Sequence, residues 1–394
     1  MHARIQELSD PPPQIRQLLL VRSLRGYRPL CFIPDGLLLA RGYELLAASL
    51  DCSKLRSIGE VPHSLHSRLL RRARLAERVL RLGIRFGVRI GEGSYLLAER
   101  NRLWRLSLPS GQIVLDQLIE KGTKPLWISR LQGVKGFTDG ACYGEYWDNV
   151  RRDPVNVWAR NLKGEWRIAH TFDRGTIEHV HGMFPDPHRG LVWIVTGDLG
   201  GAAGIWAARQ DFREVFPVLV GQQRFRCCWL AISARNIVYA TDSPLARNTV
   251  RELVLPSGCW EGPGPWRGVE SLPLMETSGS SIYGCKLADE AVFSTTVEPG
   301  LPTGHRLRDW FERKPGPGIL GPYADLMVGG QAGFVRIGRW QKDRWPYRLC
   351  EFGSICFPTG VNPGNRIYAY GTGLIGADGQ LDVYDLKVPP RGSR

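Results

Sequence analysis

The strongest constraint on the fold is a rhythm of short β-type runs that returns every 40 to 50 residues, the period of four-stranded propeller blades. Its clearest copy spans 178–219: an apolar run "EHVHGMF", a turn "PDPHRG", a run "LVWIVTGD", a Gly-rich loop, then "IWAARQ" and "EVFPVLV". The next copy reads "FRCCWLAIS", "IVYATD" and "TVRELVLPSG". Each run is β-branched or aromatic and is closed by Gly, Pro, Asn or Asp, residues that favour turns over strands. Runs at 95–119, 125–172 and from about 280 continue the series, 322–353 and 354–386 close it, and another lies near 36–61; the expected number of blades is seven.

The expected fold is therefore all-β: one seven-bladed β-propeller over 1–394, closed by joining N-terminal and C-terminal strands in a single blade so that no strand edge is left bare. A two-sheet sandwich with a second domain is the rival, and it predicts no sustained period. One segment breaks the pattern. In "SLHSRLLRRARLAERVLRLG" (64–83), Leu65, Leu69, Ala73, Ala76 and Leu80 recur at three to four residues, with Arg68, Arg71, Arg72, Arg74, Arg78 and Arg81 between them. This predicts an amphipathic basic helix, bounded by Gly83, inserted between the first two blades. Its apolar stripe would cap the side of the ring, or its charge would contact an anionic membrane surface or an acidic protein.

Charge narrows the partners. The net charge is +14, and only nine of the 52 basic residues are lysines. Such a surface attracts anions. An acidic oligo- or polysaccharide is the favoured partner, and nucleic acid is not. The nine cysteines are scattered with no C-x-x-C pair, so they read as reduced core residues of a cytoplasmic protein. No apolar run reaches the ~18 residues of a spanning helix. P-loop, G-x-S-x-G, H-E-x-x-H and dinucleotide fingerprints are missing, and no cofactor is expected.

Chemistry concentrates where blades meet. Residues two apart in a strand share a face, so His179 and His181 point one way while Glu178 and Val180 point the other. In a propeller the starts of innermost strands and the ends of second strands share one rim. That rim collects His179, His181, Arg224, Arg226, Ser280 and Tyr283, together with Tyr143, Glu145, Tyr146, Trp147 and Asp148 of "YGEYWDN", Asp198 of "TGD" and Asp242 of "ATD". Four readings of the histidines stay open: general acid or base, substrate clamp, metal ligation with Asp198 as a third donor, or a channel lining that hydrogen-bonds backbone and structural water.

The run "VNVWARNLKGEWRIAHTF" (155–172) resembles the Asp-box of sialidase-type repeats, Ser-x-Asp-x-Gly-x-x-Trp. Asn161, Lys163 and Gly164 stand where the box has Ser, Asp and Gly, and Trp166 stands near its Trp. Sialidase-like propellers act on glycans, and propeller polysaccharide lyases are similar in architecture. The resemblance implies a glycan-cleaving site of glycoside hydrolase or polysaccharide lyase type. In it Tyr143 or Tyr283 and His179 or His181 would be catalytic, Arg224 or Arg226 would clamp a carboxylate, and Tyr143 with Glu145 would be an alternative nucleophile pair. Asp198, Asp242 and Trp147 complete the expected substrate-binding set. The alternative is a scaffold without catalysis, binding protein or anionic partners through its rim and basic helix.

Overall fold

The computed structural model describes residues 16–387 apart from 71, 72, 289, 331 and 332, and they form seven four-stranded antiparallel sheets. Six blades are continuous in sequence, at 28–60, 86–118, 128–172, 179–220, 227–277 and 280–341. The seventh takes three strands from 354–387 and Gln17–Arg25 as its outermost strand. That strand runs antiparallel to Gln380–Lys387, from Gln17 opposite Lys387 to Arg25 opposite Gln380. The chain is a seven-bladed β-propeller, closed as the sequence predicts.

Burial grades outward within each blade. The first strands of neighbouring blades pack together around the axis. Second strands are covered on both faces by the adjacent blades; every residue of Leu191–Gly197 is buried. A strand with two covered faces needs a continuous apolar run rather than alternation, which is why "LVWIVTG" stands out. Outermost strands such as Gln112–Leu118 have no buried residue and carry a weaker signal. Aromatic rings span the blade interfaces, as where Trp229 meets Phe293 edge-on at 5.3 Å. Near the axis Trp127 packs against Phe86 at 5.4 Å and Phe184 at 5.9 Å, and a cavity of about 250 Å³ lies between Trp127, Trp229 and the 358–362 loop.

Two expectations are corrected. The 64–83 segment is not one helix but two short ones, α1 (Leu65–Leu70) and α2 (Arg74–Val79), in the connection between the first two blades; Arg71 and Arg72 lie outside the described residues. Its apolar stripe does not cap the ring either: Leu65 is 75% exposed and Leu69 59%, whereas Arg78 is 2% exposed. Arg78 donates from Nη1 to Asp343 at 2.6 Å and from Nε to the Cys350 carbonyl at 2.7 Å. Arg74 grips Asp378 through two bonds of 2.9 and 3.0 Å, and Arg81 reaches Glu351 at 3.1 Å. Charge-assisted hydrogen bonds are about twice as strong as neutral ones, and here they decide which side of the helices faces the ring.

The second correction concerns the sixth blade. The runs from 280 and from 322 are halves of one sheet, separated by an insertion at 297–322 that carries α3 (Arg306–Trp310). Residues 342–353, with α4 (Tyr347–Cys350), then lead into the seventh blade.

Candidate functional site

Antiparallel strand order puts the blade-to-blade connections and the turns between second and third strands on one face of the ring. Blades two to six each carry an acid at, or within two residues of, the end of the second strand: Glu99, Glu145, Asp198, Asp242 and Glu298. The mouth on this face has two chemically different halves.

On blades three to six lies an imidazole–carboxylate centre. His179 Nδ1 donates to the Trp147 carbonyl at 2.8 Å and His181 Nδ1 to the Cys227 carbonyl at 3.0 Å. A carbonyl only accepts, so each Nδ1 carries a proton, and in the neutral form of each ring Nε2 is then the lone-pair nitrogen. The two Nε2 atoms are 3.1 Å apart and stand 3.3 Å (His179) and 3.0 Å (His181) from Asp198 Oδ1. The Tyr146 ring covers His179 at 4.5 Å. Gly197 makes room for His181: a Cβ there would fall 2.2 Å from its ring.

Asp198 is the hub. Arg226 Nη2 reaches its Oδ1 at 3.0 Å and bridges to Asp242 Oδ2 at 3.3 Å. Gln223 Nε2 donates to the Asp198 carbonyl at 2.7 Å, and Glu178 Oε2 accepts from its backbone N–H at 3.1 Å. Burial alone would raise the Asp198 carboxyl, but the Arg226 guanidinium beside it holds it well below the usual carboxylate range. Behind it, burial and the neighbouring Asp242 push Glu298 up to about 8 despite Arg226. Burial and Asp242 likewise keep Cys228 a thiol, which donates to Asp242 Oδ2 at 3.2 Å. Among the described residues the buried Glu298 Oε1 and Asp242 Oδ1 have no protein hydrogen-bond partner.

On blades seven, one, two and three lies a cationic collar. Arg28 stacks on Tyr370 at 4.3 Å and touches Cys356 Sγ at 3.5 Å; Arg85 pairs with Glu351. Lys124 is half-buried beside them, and burial together with Arg85, Arg28 and Arg81 pushes it down to about 8. Neither Arg28 nor Lys124 has an ion-pair partner among the described residues.

Of the residues expected at the site, His179, His181, Asp198, Arg226 and Asp242 converge in the first half. Tyr283 belongs to the second, where burial and its neighbour Cys356 raise its phenol. Three others are elsewhere. Tyr143 is 1% exposed between blades two and three, its hydroxyl bonded to Gln117 Oε1 at 3.1 Å, because its strand position faces the blade interface. Glu145 is buried and already holds the Asn156 amides and the Trp158 indole. Arg224 is exposed, its guanidinium over Phe225. Trp147 serves His179 through its carbonyl, while its ring takes Lys121 at 5.1 Å. Sequence reading passed over Glu298, Arg28, Arg85 and Lys124. The Asp-box-like turn at 161–166 joins the third and fourth strands of blade three, on the face opposite the mouth.

No protein-family model and no curated protein matches the chain. Among solved structures it is similar to a chain of the mitotic checkpoint complex, with a TM-score of 0.53 and 7% identity over 98% of this chain and 99% of that one. It is also similar to an oligogalacturonate lyase in complex with manganese, with a TM-score of 0.53 and 10% identity over 96% of this chain and 99% of that one. At such identities what is shared is the fold, a seven-bladed propeller.

Proposed function

We propose that the mouth binds an acidic oligosaccharide and cleaves it by lyase-type β-elimination. The observation that carries this reading is the collar. Arg28 and Lys124 are half-buried cations without an ion-paired carboxylate among the described residues, and such groups are costly unless an anion joins them. A sugar carboxylate is such an anion. Its neutralisation acidifies the adjacent C–H; a base takes that proton, the neighbouring C–O bond breaks, a C=C bond forms and the departing oxygen is protonated. Lys124 titrates near 8, so close to neutrality the fraction that has shed its proton can act as the base while Arg28 holds the carboxylate. The same architecture carries the oligogalacturonate lyase named above, and glycan cleavage of hydrolase type shares the same binding face.

The test is a panel of uronate-containing and neutral oligosaccharides, read by absorbance of the unsaturated product. Cleavage of uronates alone, with Lys124→Met and Arg28→Met each lowering kcat/KM by at least ~100-fold, is the expected result. Binding without any new chromophore or reducing end would reduce the proposal to recognition alone, and no binding would end it.

A second reading, docking on an anionic lipid surface, has its own observation. Leu65, Leu69, Leu75 and Leu80 of the α1–α2 segment and Leu307 and Trp310 of α3 are exposed, beside exposed Arg68, Arg306 and Arg308. An apolar face flanked by arginines suits the headgroup boundary of an anionic bilayer. Co-sedimentation with phosphatidylserine vesicles but not with phosphatidylcholine vesicles, lost in Leu65→Ser/Leu69→Ser, is expected; equal pelleting with both would remove it.

A further inference from the structure

We propose that His179, His181 and Asp198 form a binding site for one divalent transition-metal ion. The starting point is a conflict of lone pairs. With each Nδ1–H given to a backbone carbonyl, the Nε2 atoms of the neutral rings face each other at 3.1 Å with no hydrogen between them. Both also face a carboxylate oxygen at 3.0 to 3.3 Å. Three donors pointed at one another repel, and a cation at their centre turns the repulsion into coordination.

The dimensions agree. Adjacent ligands of an octahedral ion with bonds of ~2.1 to 2.2 Å stand about 3.0 to 3.1 Å apart, against 3.0, 3.1 and 3.3 Å here. Two imidazoles and one carboxylate on a single face are the donor set of facial-triad sites, which leave the opposite positions open. The supporting contacts match as well: ligating histidines characteristically donate their second ring N–H to a carbonyl, and ligating carboxylates are themselves hydrogen-bonded. Both histidines do the first, and Arg226 supplies the second. The imidazoles are 6% and 2% exposed and the Asp198 side chain 33%, so an incoming ligand would arrive from the Asp198 side.

A neighbouring trio, His181, Cys228 and Asp242, does not compete. It would use His181 Nδ1, which is committed to the Cys227 carbonyl, and Cys228 Sγ already donates to Asp242. The selected class is a borderline ion such as Zn²⁺, Co²⁺ or Mn²⁺, since imidazole nitrogen disfavours Ca²⁺ and Mg²⁺.

The experiment uses the full chain freed of metal with chelator, then dialysed separately against Zn²⁺, Mn²⁺ and Co²⁺. One ion per chain by elemental analysis, protein-dependent visible bands for Co²⁺, and a thermal midpoint that rises on adding the ion are expected. Asp198→Asn and His179→Gln, checked for folding by circular dichroism, should each weaken binding by at least ~10-fold. A wild-type chain that takes up none of the three ions overturns the proposal without recourse to any variant. So does binding that survives intact in both variants. The inference does not depend on the glycan reading: metal uptake is measured without sugar, and the collar is a separate set of residues.

Discussion

At the scale of single residues, the histidine centre depends on one missing side chain. A Cβ at Gly197 would meet the His181 ring at 2.2 Å. Gly197→Ala should displace that imidazole at a cost of about 1–3 kcal/mol, lowering the thermal midpoint by a few degrees while abolishing whatever ligand the centre takes. Binding unchanged from the wild type would show that His181 is not needed where it sits. Glu298 offers a second test. Its folded-state value of about 8 lies above the 4.5 of an unperturbed glutamate, so the folded chain binds the extra proton. Its contribution to stability should fall as pH rises from about 4.5 and level off above about 8. Glu298→Gln should flatten the wild-type difference in denaturant midpoint between pH 5 and pH 8. His179 and His181 were legible because strand alternation puts residues two apart on one face. Glu298 was not, since "TTVEPG" sets its acid one residue beyond the position occupied in "TGD" and "ATD".

At the scale of elements, α1 and α2 show what a periodic pattern leaves open. The spacing of leucines and arginines in 64–83 predicted helix, but not which stripe would face the ring. That choice is made by Asp343, Glu351 and Asp378, carboxylates more than 260 residues further along the chain. Arg78→Met removes a buried guanidinium and leaves Asp343 and the Cys350 carbonyl short of a donor. A loss of about 3–5 kcal/mol follows from breaking one side of a buried pair, with faster proteolysis confined to 64–83. An unchanged unfolding midpoint would mean that the helices are held by something else. Tyr143 marks a different limit: "ACYGEYWDN" was read as ending a second strand, correctly, yet whether a given position faces the mouth or the next blade depends on a register that local sequence does not specify.

At the scale of the whole molecule, the period and the closure were legible from self-similar spacing, because each blade needs neighbours on both faces and each repeat therefore carries a similar apolar run. The collar was not, since Arg28, Arg85 and Lys124 come from three successive blades and meet Tyr370 and Glu351 only when the seventh blade closes the ring. Removing the outermost strand of blade seven tests that dependence. A chain lacking residues 1–25 should expose the edge of Gln380–Lys387, lose its cooperative melt and elute as oligomers in size-exclusion chromatography. A monomer melting as the intact chain does would show that the lock is dispensable.

Pairing Gln17–Arg25 with Gln380–Lys387 also imposes an order on biosynthesis. Gln17–Arg25 leaves the ribosome long before Gln380–Lys387 does, and must wait for the six intervening blades to be made before it finds its place. During that interval its backbone N–H and C=O groups lack the ladder they make with Gln380–Lys387, so the unpaired strand is open to pairing with other chains until its partner emerges.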